Sequence, residues 1–226
     1  MTRDRATPTP RAVLFDWDNT LVDSWGTIHL ALTRTFEAMG KEPWTLEDTK
    51  SRVRLSLRDA FPTQFGERWE EARSLYLGHF TAIHLDRLRA LAGAEELVRA
   101  LGDAGLYVAV VSNKTGPVLR REAEKLGWTQ HFVRLVGAGD AHADKPDPAP
   151  MRLALEDSGI ELGDAVWYVG DTGIDMQCAT NSRCVGVLLG ELDPADQGLV
   201  AFPPTLHFRT CHALSTHIGG LTFPLA

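Results

Sequence analysis

The chain contains 226 residues, of which 44% are hydrophobic, and its 23 basic and 30 acidic side chains leave a formal net charge of −7. This length and apolar content suffice for one large domain or two small ones. The acidic balance excludes a protein that coats nucleic acid, because no broad basic field is available. It leaves an anionic small substrate open, since a metal ion or one lysine can set the local charge.

The sequence also argues against a membrane or secreted protein. No apolar run approaches the ~20 residues that a membrane span needs, and the opening MTRDRATPTP lacks the apolar core of a secretory signal. The cysteines are odd in number and show no C-x-x-C spacing, which disfavours a disulfide framework; they are Cys178, Cys184 and Cys211. We therefore predict a cytoplasmic protein with neither a membrane nor a nucleic-acid partner.

The first predicted elements are a strand and a long helical insertion. Ala12–Phe15 form an apolar run that stops at an acidic cluster, which is typical of a strand buried on both faces. Residues 24–90 show no strand pattern, and their apolar residues recur at helical spacing. These roughly 67 residues are too long for a crossover and long enough for a small domain. We predict a helical cap domain at 24–90 over the sheet of a core domain formed by residues 1–23 and 91–226.

The remainder of the chain alternates short apolar runs with helical patterns. Four further strands are predicted at Leu106–Val111, Phe132–Val136, Ala165–Val169 and Cys184–Leu188. Three helices, bounded by proline or glycine, are predicted at Ala94–Ala104, from Pro117 to Leu126 and from about Pro150 to Ser158. After a loop, residues 206–219 would add a short strand and a final helix. The alternation predicts the α/β class, with a doubly wound parallel sheet.

Polar residues follow the predicted strands at four places. In chain order they are Asp16, Asp18 and Thr20, then Ser112 and Asn113, then Lys145, and finally Asp171 and Asp175. Because parallel strands carry their C-terminal ends to one edge of a sheet, we expect these residues to lie together.

The four segments DWDNT, VVSNKT, ADKPDP and VGDTGID resemble the motifs of the haloacid dehalogenase-like hydrolase superfamily. They look most like the phosphoglycolate phosphatase branch, and the resemblance extends from Arg11 to about Leu221. It implies a Rossmann-like core with an inserted helical cap, and a Mg²⁺-dependent phosphatase acting on a small phosphorylated metabolite. Asn19 stands where the family usually has Gly; we expect the turn to survive, because Asn tolerates positive φ.

The resemblance also assigns roles. Asp16 would be the nucleophile that forms an aspartyl-phosphate, and Asp18 would protonate the leaving group and then activate water. The metal would be held by Asp16, the backbone carbonyl of Asp18, Asp171 and Asp175. The phosphate would be bound by Thr20, Ser112, Asn113 and Lys145.

We expect residues of the insertion to determine which substrate the protein binds. Similar proteins place a specificity loop roughly where Ser51–Leu57 lie here, and this loop carries Arg52 and Arg54, with Arg58 nearby. Arg54 and Arg58 would hold a second anionic group such as the carboxylate of phosphoglycolate. The alternative for these arginines is a solvated helix face.

Other functions remain to be separated from a phosphatase. A phosphomutase shares the same four motifs and stays open. A haloacid dehalogenase is disfavoured because Asp18 is retained. A phospho-acceptor signalling or binding module, a different class, lacks both an equivalent of Asp18 and an insertion after the first strand. Assembly is expected to be monomeric or homodimeric.

Overall fold

The structure, a computed structural model, describes residues 7–196 and 198–221. In this part of the chain six parallel strands form one sheet in the order β3-β2-β1-β4-β5-β6. They are β1 Ala12–Phe15, β2 Tyr107–Thr115, β3 Arg134–Ala138, β4 Val166–Gly170, β5 Val185–Leu189 and β6 Leu206–Phe208. The predicted α/β class with a parallel sheet is confirmed, and β1 lies at its centre between β2 and β4.

Five α-helices follow β1 within residues 25–87. They are α1 Trp25–Ala38, α2 Leu46–Arg52, α3 Leu57–Phe65, α4 Trp69–Thr81 and α5 His84–Arg87. We call this segment, residues 25–87, the helical insertion. It has its own apolar cluster, in which Phe36, Phe61 and Phe80 are buried, and Val118 joins that cluster from outside the insertion. The domain limits at 24 and 90 stay a prediction.

The other helices cover both faces of the sheet. They are α6 Ala94–Asp103, α7 Gly116–Leu126, α8 Ala149–Ala154, α9 Gly173–Asn181 and α10 Cys211–Gly219. Side chains alternate along a strand, so Val13 and Phe15 of β1 pack in one cluster with α6, α7 and α10. Ala12 and Leu14 pack in the other with α8 and α9. The predicted doubly wound arrangement is thus confirmed.

Several element limits differ from the prediction. β2 continues to Thr115 instead of ending at Val111, because Thr115 pairs with Ala138 after a register shift. Helix α8 ends at Ala154 instead of Ser158, since Asp157 adopts a left-handed φ of 62°. The first of these differences matters for the site, because Ser112 and Asn113 lie within the extended strand instead of following it.

Two further findings concern the chain as a whole. Over the described residues, no helix combines the length and the apolar character needed to cross a membrane. The three cysteines are free thiols, and Cys178 and Cys211 are buried.

Gly170, the last residue of β4, allows the first turn of α9 to lie against the end of the strand. A Cβ at Gly170 would lie 2.6 Å from Oδ2 of Asp175. We therefore expect Gly170→Ala to lower the free energy of unfolding by about 1–3 kcal/mol through overpacking, as measured by urea denaturation. Gly102→Ala is the matched control, because its added Cβ has nothing within 4 Å and should raise stability by up to about 1 kcal/mol. Equal stability of Gly170→Ala and the wild type would contradict this packing.

Candidate active site

A buried lysine joins the acidic residues at the ends of β1 and β4. Lys145 Nζ lies 2.9 Å from Oδ1 of Asp16 and 2.8 Å from Oδ1 of Asp175, and the lysine is 1% exposed. Asp16 follows β1, while Asp171 follows the neighbouring β4. One carboxylate oxygen from each of Asp16, Asp171 and Asp175 lies within 4.8 Å of the others. The predicted gathering of these residues is therefore present.

Asp175 is fixed by the N-terminus of α9. Its Oδ2 accepts hydrogen bonds from the Thr172 backbone N–H at 3.0 Å and from the Thr172 hydroxyl at 2.6 Å, which completes a capping box. Its Oδ1 accepts from Lys145 and, at 3.2 Å, from the hydroxyl of Tyr168. Both oxygens of Asp175 are thus already engaged.

Thr20 hydrogen-bonds to a neighbouring aspartate, a contact that the sequence did not predict. Its side chain is fully buried, and its hydroxyl donates to Oδ1 of Asp171 at 3.2 Å. The residue predicted to bind phosphate therefore orients a predicted metal ligand. The turn before it forms as expected: Asn19 adopts φ 60°, and its side-chain oxygen accepts from the backbone N–H of Ser24.

A cavity of about 110 Å³ opens beside the acidic cluster, between the sheet and the helical insertion. From the sheet it is lined by predicted site residues: Asp16, Asp18, Ser112, Asn113, Lys145 and Asp171. From the insertion it is lined mostly by apolar side chains: Trp25, Ile28, Val53, Leu55, Leu57, Tyr76, Leu77 and Phe80. The cavity thus has one charged wall and one apolar wall.

The structure separates the arginines that were predicted together. Arg54 lines the cavity, and its Nη1 donates to the carbonyl oxygen of Lys50 at 2.6 Å. Arg58 instead forms a 2.6 Å ion pair with Asp144 in a separate cleft. Arg52 pairs with Asp48 on the exposed side of α2. Only Arg54 of the three reaches the cavity, so the expectation that Arg58 contacts substrate is not supported by its position.

Sequence reasoning missed Lys114 and the side-chain role of Asn113. Lys114 Nζ lies 2.7 Å from Oδ1 of Asp18 and 2.7 Å from Oε2 of Glu122. Asn113 accepts from the backbone N–H of Lys145 at 3.0 Å and donates to its carbonyl at 3.2 Å, which anchors the lysine's loop. A signal for Lys114 was available, because Glu122 interrupts the apolar face predicted for α7 and is buried there.

Burial dominates the electrostatics of the carboxylates. Loss of solvent raises the pKa of Asp16 from 3.8 to about 6, although Lys145 opposes the shift; Asp175 and Asp18 add to it. Burial, reinforced by Asp175 and Asp16, raises the pKa of Asp171 well above its ordinary value. Burial would lower the pKa of Lys145, but Asp16 and Asp175 outweigh it and the pKa is raised.

This donor set fits a divalent cation. The buried carboxylates of Asp16 and Asp175 pair with the single ammonium of Lys145, and the half-buried carboxylate of Asp171 lies beside them. Negative charge is therefore in excess, and the raised pKa values of Asp16 and Asp171 express that excess. Oxygen-only ligands are those that Mg²⁺ and Ca²⁺ prefer. Bound positive charge would favour the ionised carboxylates and reverse these shifts.

The chain matches the haloacid dehalogenase-like hydrolase family over residues 13–187. It therefore belongs to this family, as the four motifs predicted, and it is a hydrolase.

Individual relatives agree with this assignment. A phosphoglycolate phosphatase of Xylella fastidiosa (strain 9a5c) is 31% identical over 174 residues, which cover 75% of this chain and 76% of the relative. The pyrophosphatase PpaX of Halalkalibacterium halodurans is 25% identical over 207 residues, covering 92% and 96%. The crystal structure of a predicted phosphatase from Clostridium acetobutylicum superposes with a TM-score of 0.82 at 21% identity, covering 95% of this chain and 100% of that one. This last likeness supports the fold alone.

Removing one buried charge should stabilise the metal-free protein. The pKa of Asp16 is higher in the folded state than its ordinary 3.8, so the folded state binds this proton more tightly, and the stability it contributes is lost as pH rises through about 6. In EDTA at pH 8, Asp16→Asn should therefore raise the free energy of unfolding, by up to about 3 kcal/mol. The gain should shrink toward pH 5 in urea titrations. A gain that is equal at both pH values, or a loss at pH 8, would contradict this electrostatic account.

Proposed function

We propose that the protein is a Mg²⁺-dependent phosphatase that hydrolyses a small phosphomonoester through an aspartyl-phosphate on Asp16. By family and relatives the chain is a haloacid dehalogenase-like phosphatase. One observation supports the finer proposal most: Asp16 and Asp18 line the same cavity, with Lys145 and Asp171 beside them. A nucleophile, an acid–base group and charge compensation are thus available to one phosphoryl group.

The residues that would hold Mg²⁺ are Asp16, Asp171 and the backbone carbonyl of Asp18. Asp175 would contribute through water, since both of its oxygens already accept hydrogen bonds. When bound, the ion would neutralise phosphoryl oxygens and align the nucleophile.

In the first step the Asp16 carboxylate attacks phosphorus in line with the leaving oxygen. A bond forms between Asp16 and phosphorus, the ester P–O bond breaks, and the leaving oxygen takes a proton from Asp18. The phosphate oxygens are held by Lys145, the Ser112 hydroxyl and the backbone N–H of Asn113.

The second step reverses these roles. Asp18, now a carboxylate, accepts a proton from water as the water oxygen attacks phosphorus. The bond between phosphorus and Asp16 breaks and the carboxylate is regenerated. If the phosphoryl group passed to a second hydroxyl of a sugar phosphate instead of water, the same residues would catalyse a phosphomutase reaction, and release of inorganic phosphate distinguishes the two.

The cavity favours a small substrate with one further anionic group. Its volume is about 110 Å³, and Arg54 is the arginine of the insertion that lines it. A carboxylate there would pair with the guanidinium, which agrees with phosphoglycolate as substrate, the compound named for the relative in Xylella fastidiosa. The pyrophosphatase relative makes inorganic pyrophosphate the second substrate to include in an assay.

The two aspartates of the first motif should fail in different ways. Asp16→Asn offers no anionic nucleophile and should abolish phosphorylation and turnover. Asp18→Asn should slow hydrolysis by about 10²–10⁴-fold, but 4-nitrophenyl phosphate has a leaving group that needs no proton, so its first step should be partly rescued. Mass spectrometry of Asp18→Asn with this ester and Mg²⁺ should then find one phosphoryl group on Asp16. Label on another residue, or wild-type turnover, would refute the assigned roles.

Arg54 and Arg58 provide a matched pair for testing the substrate's second anion. Arg54→Ala should raise KM for phosphoglycolate by about 10-fold or more, the cost of a charged hydrogen bond, and should change KM for 4-nitrophenyl phosphate much less. Arg58→Ala is the control, because Arg58 pairs with Asp144 outside the cavity, and should leave the ratio of the two KM values unchanged. Equal effects of Arg54→Ala on both esters would contradict the contact.

A further inference from the structure

A buried chain of charged groups leads from Asp18 into the interior. Lys114 Nζ lies 2.7 Å from Oδ1 of Asp18 and 2.7 Å from Oε2 of Glu122, and the side chains of Lys114 and Glu122 are 5% and 1% exposed. Glu122 also accepts from Nε1 of Trp17 at 2.7 Å, and its Oε1 lies 2.8 Å from Nδ1 of His84. These contacts are separate from the Lys145 cluster.

The geometry leaves Lys114 little freedom. Its ammonium has one carboxylate on each of two sides, and it lies 4.7 Å from the ring centroid of Phe80, where a cation–π contact forms. Lys114 thus donates a hydrogen bond to Glu122, forms an ion pair with Asp18 and lies over the Phe80 ring. The carboxylate of Asp18 is therefore held at a fixed position by a group that is itself fixed.

Packing alone does not account for this chain of contacts. Glu122 lies in α7 among the buried apolar residues Val118, Leu119 and Ala123. A buried ion pair is often no more stable than apolar side chains of similar volume. An apolar residue at position 122 would pack in the helix equally well. The network therefore contributes more to the positions of these side chains than to the stability of the fold.

The network also ties the insertion to the sheet. Trp17 precedes the helical insertion, whereas Phe80 and His84 belong to α4 and α5 near its end. Glu122 is in α7, outside the insertion, and it contacts Trp17, which precedes the insertion, and His84, which lies near the insertion's end. The place of Lys114, and hence of the Asp18 carboxylate, depends on α4 and α5 being docked on α7.

We propose that Lys114 and Glu122 are positioning residues for Asp18: Lys114 fixes its carboxylate in the cavity, and Glu122 fixes Lys114 while it is itself held by Trp17 and His84. This inference rests on the proposed function, in which Asp18 transfers a proton to the leaving group. Lys114 acts through Asp18 and contributes to proton transfer, whereas attack by Asp16 does not need it.

The test uses a series of aryl and alkyl phosphates whose leaving groups differ in pKa. The measured quantity is kcat/KM, which reports steps up to phosphoryl transfer to the enzyme. Lys114→Met should lower kcat/KM about 10- to 100-fold for phenyl phosphate, part of the range for acid–base catalysis. Lys114→Met should change kcat/KM for 2,4-dinitrophenyl phosphate less than threefold. Lys125→Met, which removes an exposed lysine of α7, should match the wild type on every ester.

A double variant decides whether Lys114 acts through Asp18. If it does, Lys114→Met/Asp18→Asn should be no slower on phenyl phosphate than Asp18→Asn alone. Lys114→Met leaves Glu122 buried without its cation, which can destabilise the fold. A second variant, Lys114→Met/Glu122→Met, removes both charges and avoids this penalty. It should show the same dependence on the leaving group.

Three results would overturn the inference: an equal loss on all esters, a further loss in the double variant with Asp18→Asn, or wild-type rates in the absence of Lys114. The proposed function fails separately. If Asp18→Asn itself shows no dependence on the leaving group, then Asp18 is not the acid and both proposals fall. If Asp18→Asn shows it and Lys114→Met does not, only the positioning role falls.

Discussion

The ammonium of Lys145, shared between Asp16 and Asp175, is the interaction on which the rest of the site depends. It joins the end of β1 to the first turn of α9. Asp175 accepts hydrogen bonds from Lys145 and from the backbone and hydroxyl of Thr172, and these contacts fix its side chain in the structure. Asp16 has the lysine as its cationic neighbour and lines the cavity. Lys145 thus pairs with two carboxylates in different settings: Asp175 is fixed within the fold, and Asp16 lines the cavity.

The same arrangement leaves negative charge unbalanced in a buried place. Such a site costs stability when it is empty, and that cost is expected where a protein holds groups for chemistry instead of for folding. Neighbouring elements limit the cost: Thr20 donates to Asp171, and Asn113 anchors the loop of Lys145. A second pair of opposite charges, Lys114 and Glu122, holds Asp18 apart from this cluster. Each aspartate at the cavity therefore has its own support.

The sequence was sufficient to predict the parallel sheet, the helical insertion and the meeting of the four motifs, because strand ends lie at one edge whatever the loops do. The sequence was insufficient where the position of a side chain depends on a contact with a residue from a distant part of the chain. Arg54 and Arg58 are both arginines and lie close together in sequence, yet Arg58 pairs with Asp144 outside the cavity. The hydroxyl of Thr20 donates to Asp171, which lies 151 residues further along the chain. The local sequence shows which residue type stands at a position, but it does not show which distant residue that side chain will contact.

The most direct measurement of the central claim, that a divalent cation balances this buried charge, is calorimetric titration of the protein with Mg²⁺ in buffers of different ionisation enthalpy. Carboxylates must be deprotonated to bind a metal, and the pKa of Asp16 is about 6 without one. At pH 6, Mg²⁺ binding should therefore release protons, so that the observed enthalpy changes with the buffer. The part of this release that comes from Asp16 should be smaller at pH 8, and Asp171→Asn should bind Mg²⁺ far more weakly. Binding without proton release at pH 6, or undiminished affinity in Asp171→Asn, would contradict the account.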